Sequence, residues 1–250
     1  MELLKHASEA LQRHLSAVLM YLGFAVLWSL ANSGTAVYLL ARYPDTVPTL
    51  PEHIVRIVSF TVLSGVCAFA QAVVFSRIGR EMDRPLWKVR DDREALQRFF
   101  FMWFEFNLLI NTLSWIAGTP LFGDEPNALN ALAVFAVLVG VVLVIPVGAA
   151  SMFHGHFSWS KLGECLAPLG RRPMEALPVF LVTFGQFLLP ILALQAPDRD
   201  VSNVRHVAFS IAVQLALDLV IAYLDCLAFA AIWLVCKDDR DSPDEVDLDF

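Results

Sequence analysis

The chain has 250 residues, of which 57% are hydrophobic and 17% charged, and its mean hydropathy is +0.60. A soluble globular domain is nearer half apolar and a quarter charged, so this composition excludes an ordinary water-soluble fold. The net charge of −7 is concentrated in residues 237–250. That stretch carries seven acids and two bases, which leaves the body near neutral and excludes a nucleic-acid surface.

Residues 2–14, ELLKHASEALQRH, place Leu3, Leu4, Ala7, Ala10 and Leu11 at helical spacing with charged residues between them. This predicts a short amphipathic helix lying on a membrane. Six apolar stretches follow that are long enough to cross a bilayer, near 15–41, 54–76, 99–118, 128–153, 174–196 and 207–236. The predicted class is therefore an all-α polytopic membrane protein of one domain over residues 1–236. Helices and closed barrels alone satisfy their backbone groups in lipid, and the ~10-residue alternating segments of a barrel are absent. Lys5 and Arg13 before the first apolar run and Ser29-Leu30-Ala31 within it suggest a signal peptide. The run resumes at Thr35, so an uncleaved first span is expected instead.

Span 1 contains Asn32-Ser33-Gly34, read as a weak point. Span 2 carries Ser64, Ala68 and Ala72 at four-residue intervals, which lets a neighbouring helix approach closely. The connection from Arg77 to Arg98 holds seven bases and five acids. Its Arg77, Arg80, Arg84, Trp87, Lys88 and Arg90 could meet anionic headgroups or the acidic tail. Within it, LWKVRDDREALQRFF forms a second charged lead-in, to the aromatic-rich span 3 with Glu105, Asn107 and Asn111. Ser158 to Arg172 forms a third, before span 5 with Gln186. A lead-in before each pair of spans gives three units with a period of about 75 residues. This hairpin architecture resembles the membrane domain attached to some bacterial glycerophosphodiesterases. The likeness is architectural, and no functional residue follows from it.

Lys and Arg are divided unequally between the two sides. The N-terminal segment, 77–98, 154–173 and the tail hold 14 of 18, and Arg42, Arg56, Arg199 and Arg205 lie opposite. The positive-inside rule puts both ends in the cytoplasm of a cell membrane, expected to be a bacterial inner membrane. The tail, 237–250, is expected to be disordered.

The last span, Val207 to Cys236, carries Asp218 and Asp225 seven residues apart, with Gln214 one turn before Asp218. On a helix these share a face. A carboxylate at membrane depth is costly unless protonated, paired or hydrated, and no basic residue lies at mid-span to pair with these. Measured along each helix from its basic end, Gln71 and Glu105 fall at ~10 Å and Asn111, Asp225 and Gln186 at ~18–21 Å. Together with Asn107, Gln214 and Asp218 they form a candidate polar path. Asn and Gln in membrane helices also serve simply to join helices, which is the plainer reading.

His154 and His156 form a weak metal candidate with Glu164 or Cys165, because i, i+2 spacing separates them on a helix. Cys67, Cys165, Cys226 and Cys236 lack CxxC spacing and read as buried free thiols. GxSxG, HExxH, P-loop and GxGxxG motifs are all absent, so no catalytic residue and no cofactor are expected. Two functions remain. The first is a non-enzymatic scaffold, assembly factor or accessory subunit working with a membrane-protein partner or a second copy. The second is a small transporter or channel-like protein using the intramembrane carboxylates for protons or a cation.

Overall fold

The computed structural model describes residues 2–42, 50–82, 89–118, 128–155, 157–193 and 204–241, and these are helical with no strand among them. The elements are α1 (Glu2–Arg13), α2 (Leu15–Arg42), α3 (Leu50–Met82), α4 (Asp92–Gly118), α5 (Ala128–His154), a 3₁₀ turn (Trp159–Lys161), α6 (Leu162–Arg171), α7 (Pro173–Ala193) and α8 (Val204–Asp241). Five of these, α2, α3, α4, α5 and α8, are long and apolar enough to cross a membrane. This makes the chain a multi-pass membrane protein.

Packing follows a ring in the order α2, α3, α4, α5, α7, α8 and back to α2, with α8 also touching α1, α3, α5 and α6. Ser64, Ala68 and Ala72 are fully buried, as close approach of neighbouring helices requires. The core is aromatic and centres on Phe75. Its ring stacks on Phe229 at 4.6 Å and meets Trp103 at 5.4 Å and Tyr21 at 5.1 Å. Trp233 continues the column between Phe229 and Phe153. Two glycines make room for these rings. A Cβ on Gly148 would lie 2.1 Å from the Trp103 indole, and one on Gly79 would lie 2.9 Å from that of Trp233.

Burial is uneven along the bundle axis. Nearly every residue from Ala228 to Cys236 and from Ile145 to Met152 is buried, whereas no residue of α8 between Val207 and Ile221 is. The dense half lies at the end where α1 packs and the charged connections emerge.

Several expectations change in detail. The amphipathic face of α1 is buried on protein, with Ala7 and Leu11 against the α8 end of the core, so it does not rest on lipid. The helix is fastened by His14 Nδ1, 2.7 Å from Glu81 Oε2. The second lead-in is no separate helix: from Asp92 it is the first turns of α4. Asp92 sits at that N-terminus, where the helix dipole favours an acid, and accepts from Arg77 and Arg80 at the end of α3. Among the described residues, only the first and third units therefore carry a distinct short helix. α2 runs unbroken through Asn32-Ser33-Gly34, with Thr35 Oγ1 donating to Ala31 O. The tail was expected to be disordered from Lys237, yet α8 continues to Asp241. The extra turn is held by Arg171 on Asp239 at 3.0 Å, Arg172 on the Asp238 carbonyl and Arg240 over the Phe153 ring. Residues 242–250 lie outside the described residues.

Candidate functional site

The polar side chains of the spans do not form one layer. They divide into three groups, set by the direction in which each helix presents them.

The first group is a cavity of about 180 Å³ between α2, α3, α4 and α8, lined by Tyr21, Trp28, Gln71, Asn107, Asp218 and Asp225 among others. Seven residues along α8 is close to two turns, so both carboxylates point to the same side and reach one space. No Lys, Arg or His among the described residues lines it. The volume has room for several waters, and the lining offers them polar partners.

Within it the two acids differ. Asp225 is bonded on both oxygens: Gln186 Nε2 donates to Oδ1 at 3.0 Å and Tyr21 OH donates to Oδ2 at 3.3 Å. Gln186 also donates to the Ile221 carbonyl at 3.2 Å, so its amide is consumed in holding α7 to α8. Asp218 accepts from Gln214 Nε2 on Oδ1 at 2.9 Å, and the Ser29 hydroxyl stands within hydrogen-bonding reach of its carboxyl. Asn107 spans α4 and α3, donating to Gln71 Oε1 at 2.6 Å and to its own Trp103 carbonyl at 2.6 Å.

The second group joins helices and is not part of this cavity's lining. Asn111 donates to Ser64 Oγ at 2.9 Å, and Thr183 to the Val142 carbonyl at 3.1 Å. This is the ordinary use of polar side chains between membrane helices. The third group is Glu105, which the structure places on the outer surface of α4. Its Oε2 accepts from Trp159 Nε1 of the 3₁₀ turn at 3.3 Å. Its depth matched Gln71, but it points out of the bundle, so it is not part of the cavity.

Of the basic candidates, Arg77 and Arg80 are engaged by Asp92, and Arg90 is exposed, its backbone N–H donating to Glu94. Arg84, Trp87 and Lys88 lie outside the described residues, as does His156. His154 closes α5 with its ring against Phe153. Glu164 is exposed on α6 while Cys165 is buried beneath it, so the two face apart. Burial pushes the Cys165 thiol above its usual range. No group of three or more His, Cys, Asp or Glu is placed to hold a metal among the described residues.

Tyr21 and Trp28 were not singled out from the sequence, and Ser29 was noted only in a signal-peptide-like stretch. A lone Tyr or Ser in an apolar span has no periodicity or motif to mark it, and only the packing of α2 on α8 brings these to the carboxylates. Comparison with known proteins found no matching family model, no matching curated protein and no matching solved structure, so function is argued from the site itself.

Proposed function

We propose that the chain is a small six-span membrane protein that carries a proton or a small cation through the carboxylate-lined cavity of its bundle. The observation that carries this is the shared opening of Asp218 and Asp225 into one polar space with no basic side chain among the described residues on its wall. Acids buried at membrane depth are expensive, and they are kept where they face a hydrated interior rather than lipid. Pure interhelical joining would not need two of them on one face, because Asn111 and Thr183 do that work here without charge.

The sixth crossing is α7. Its 21 residues span about 31 Å at 1.5 Å per residue, the thickness of a hydrocarbon core. It lies against α5 and α8 and is hydrogen-bonded to both. Parity agrees. α1 packs on α8, and its His6 shares a surface pocket with Leu234, near the end of α8, so the two ends of the chain come back to the same end of the bundle. An odd number of crossings would separate them. The basic excess on that end supports a cytoplasmic placement.

A second reading is a scaffold or accessory subunit. It is favoured by the density of the core around Phe75 and Trp103 and by Glu105, whose outward carboxylate could meet a partner helix. Flux into liposomes separates the two. With a pH or cation gradient, wild-type protein should carry charge, and a variant with both Asp218→Asn and Asp225→Asn should not. Equal flux in the two would remove transport through this cavity, and Glu105→Gln should behave as wild type.

A further inference from the structure

The polar wall of the cavity between α2, α3, α4 and α8 has a direction. Asn107 Nδ2 donates to Gln71 Oε1 at 2.6 Å, Gln71 stands within hydrogen-bonding reach of the Tyr21 hydroxyl, and Tyr21 donates to Asp225 Oδ2 at 3.3 Å. The chain of contacts ends on the carboxylate, where Gln186 of α7 adds a second donor at 3.0 Å. Asn107 also serves the Trp103 carbonyl and Gln186 the Ile221 carbonyl, so both amides are spent. An ionised carboxylate accepts about four hydrogen bonds, and Asp225 receives two. It is half-buried and lines the open space, so the wall still offers acceptor capacity there. The apolar side of the cavity is aromatic. Tyr21, Phe24 and Trp28 fall at i, i+3 and i+7, which places them on one face of α2, and all three line the space together with Val66 and Ile221.

We propose that this cavity binds a small protonated amine, a short primary alkylammonium, with its N–H donors on Asp225 and its carbon chain against Phe24, Trp28 and Val66. This deepens the transport reading by naming the class of cation, and it rests on that reading for its physiological role alone. Three properties of the wall select the class. Two carboxylates with no Lys, Arg or His among the described residues beside them exclude an anion. A hard metal ion takes about six or more oxygen ligands. One half-buried carboxylate among aromatic and aliphatic side chains does not supply them. An ammonium needs less: a carboxylate for its N–H groups, and ring faces that attract its charge. The volume of about 180 Å³ admits such a ligand. Asp218, on the same wall, adds to the negative potential without touching the ammonium.

Equilibrium binding tests this without flux. The full chain, purified in detergent, is unfolded thermally at constant pH and ionic strength in propylammonium chloride, in NaCl, or in NaCl with 1-propanol. A ligand that binds only the folded state raises the midpoint with concentration. The expected result is a saturable rise with propylammonium and none with Na⁺ or the neutral alcohol. Asp225→Asn should abolish the rise, and Trp28→Leu should move the titration roughly tenfold to higher concentration, the loss of a desolvated cation–π contact. Circular dichroism and elution volume in NaCl show whether each variant is folded. Trp28 takes no part in the hydrogen bonds to Asp225, so Trp28→Leu carries the test if Asp225→Asn does not fold. Equal midpoints in propylammonium chloride and NaCl for the wild type would overturn the proposal. A full propylammonium response in folded Asp225→Asn or in Trp28→Leu would do the same. Its failure and that of the transport reading are distinguishable. Proton or Na⁺ flux without propylammonium binding removes this site and leaves transport standing, whereas propylammonium binding without flux keeps the site and removes transport.

Discussion

At the scale of single residues, two contacts have the most decisive consequences. Gly148 faces the Trp103 indole so closely that a methyl group has no room. Gly148→Ala gains ~1 kcal/mol of helix propensity, but overpacking against a fully buried ring typically costs ~1–3 kcal/mol. The expected net is a lower unfolding midpoint in detergent, and an unchanged or higher one would show that the Trp103 ring can shift. Tyr21 is the second. Tyr21→Phe removes the donor to Asp225 Oδ2 and should cost ~0.5–1.5 kcal/mol, with Asp225→Ala costing more because Tyr21 loses its acceptor and Gln186 one of its two. Guanidinium or thermal unfolding of the two variants checks the order. The spacing of Asp218 and Asp225 predicted their shared face because helical period alone fixes it. Glu105 was misplaced for a related reason: counting residues gives depth along an axis, but the direction around it depends on which neighbours the helix packs against.

At the scale of elements, hydropathy located five membrane-length helices, α2, α3, α4, α5 and α8, because the lipid-facing length is a property of the chain itself. The ends moved outward where charged residues found partners in other helices. Met82 extends α3 beyond the apolar run, with Arg77 and Arg80 paired to Asp92. The final turn of α8 forms where Arg171 and Arg172 are waiting. No local pattern reveals such partners. The Arg171–Asp239 pair leaves Arg171 largely exposed, with 69% of its side chain accessible. Asp239→Ala should therefore change stability by no more than about 1 kcal/mol, and less at high salt. Leu11 is different, being 2% exposed where α1 meets α8. Leu11→Ala should cost ~2–4 kcal/mol of docking energy. It should appear as faster limited proteolysis of the first 13 residues, with the remaining bundle intact.

At the scale of the whole molecule, the arrangement predicts that both ends of the chain are labelled from one side of a sealed vesicle and residues 119–127 from the other. Impermeant thiol reagents on single introduced cysteines would test this, and ends found on opposite faces would remove the sixth crossing and with it the parity argument. Three of the four native thiols, Cys165, Cys226 and Cys236, are buried; Cys67, expected to be buried, is only half-buried and lines the cavity, so it is replaced by alanine first.

The gradient of burial along the axis has a directional consequence. Prying helices apart is hardest where their side chains interlock most densely, because close packing there is surrendered all at once. The half of the bundle around Phe229 and Trp233 should therefore stay shut while the half around Val207 to Ile221 fluctuates. Asp218 stands in the looser half and Asp225 at the margin of the tighter one. Anything that enters by thermal opening would thus arrive from the face away from α1 and meet Asp218 first. Amide exchange fast in the upper turns of α2 and α8 and slow below Asp225 would be its signature.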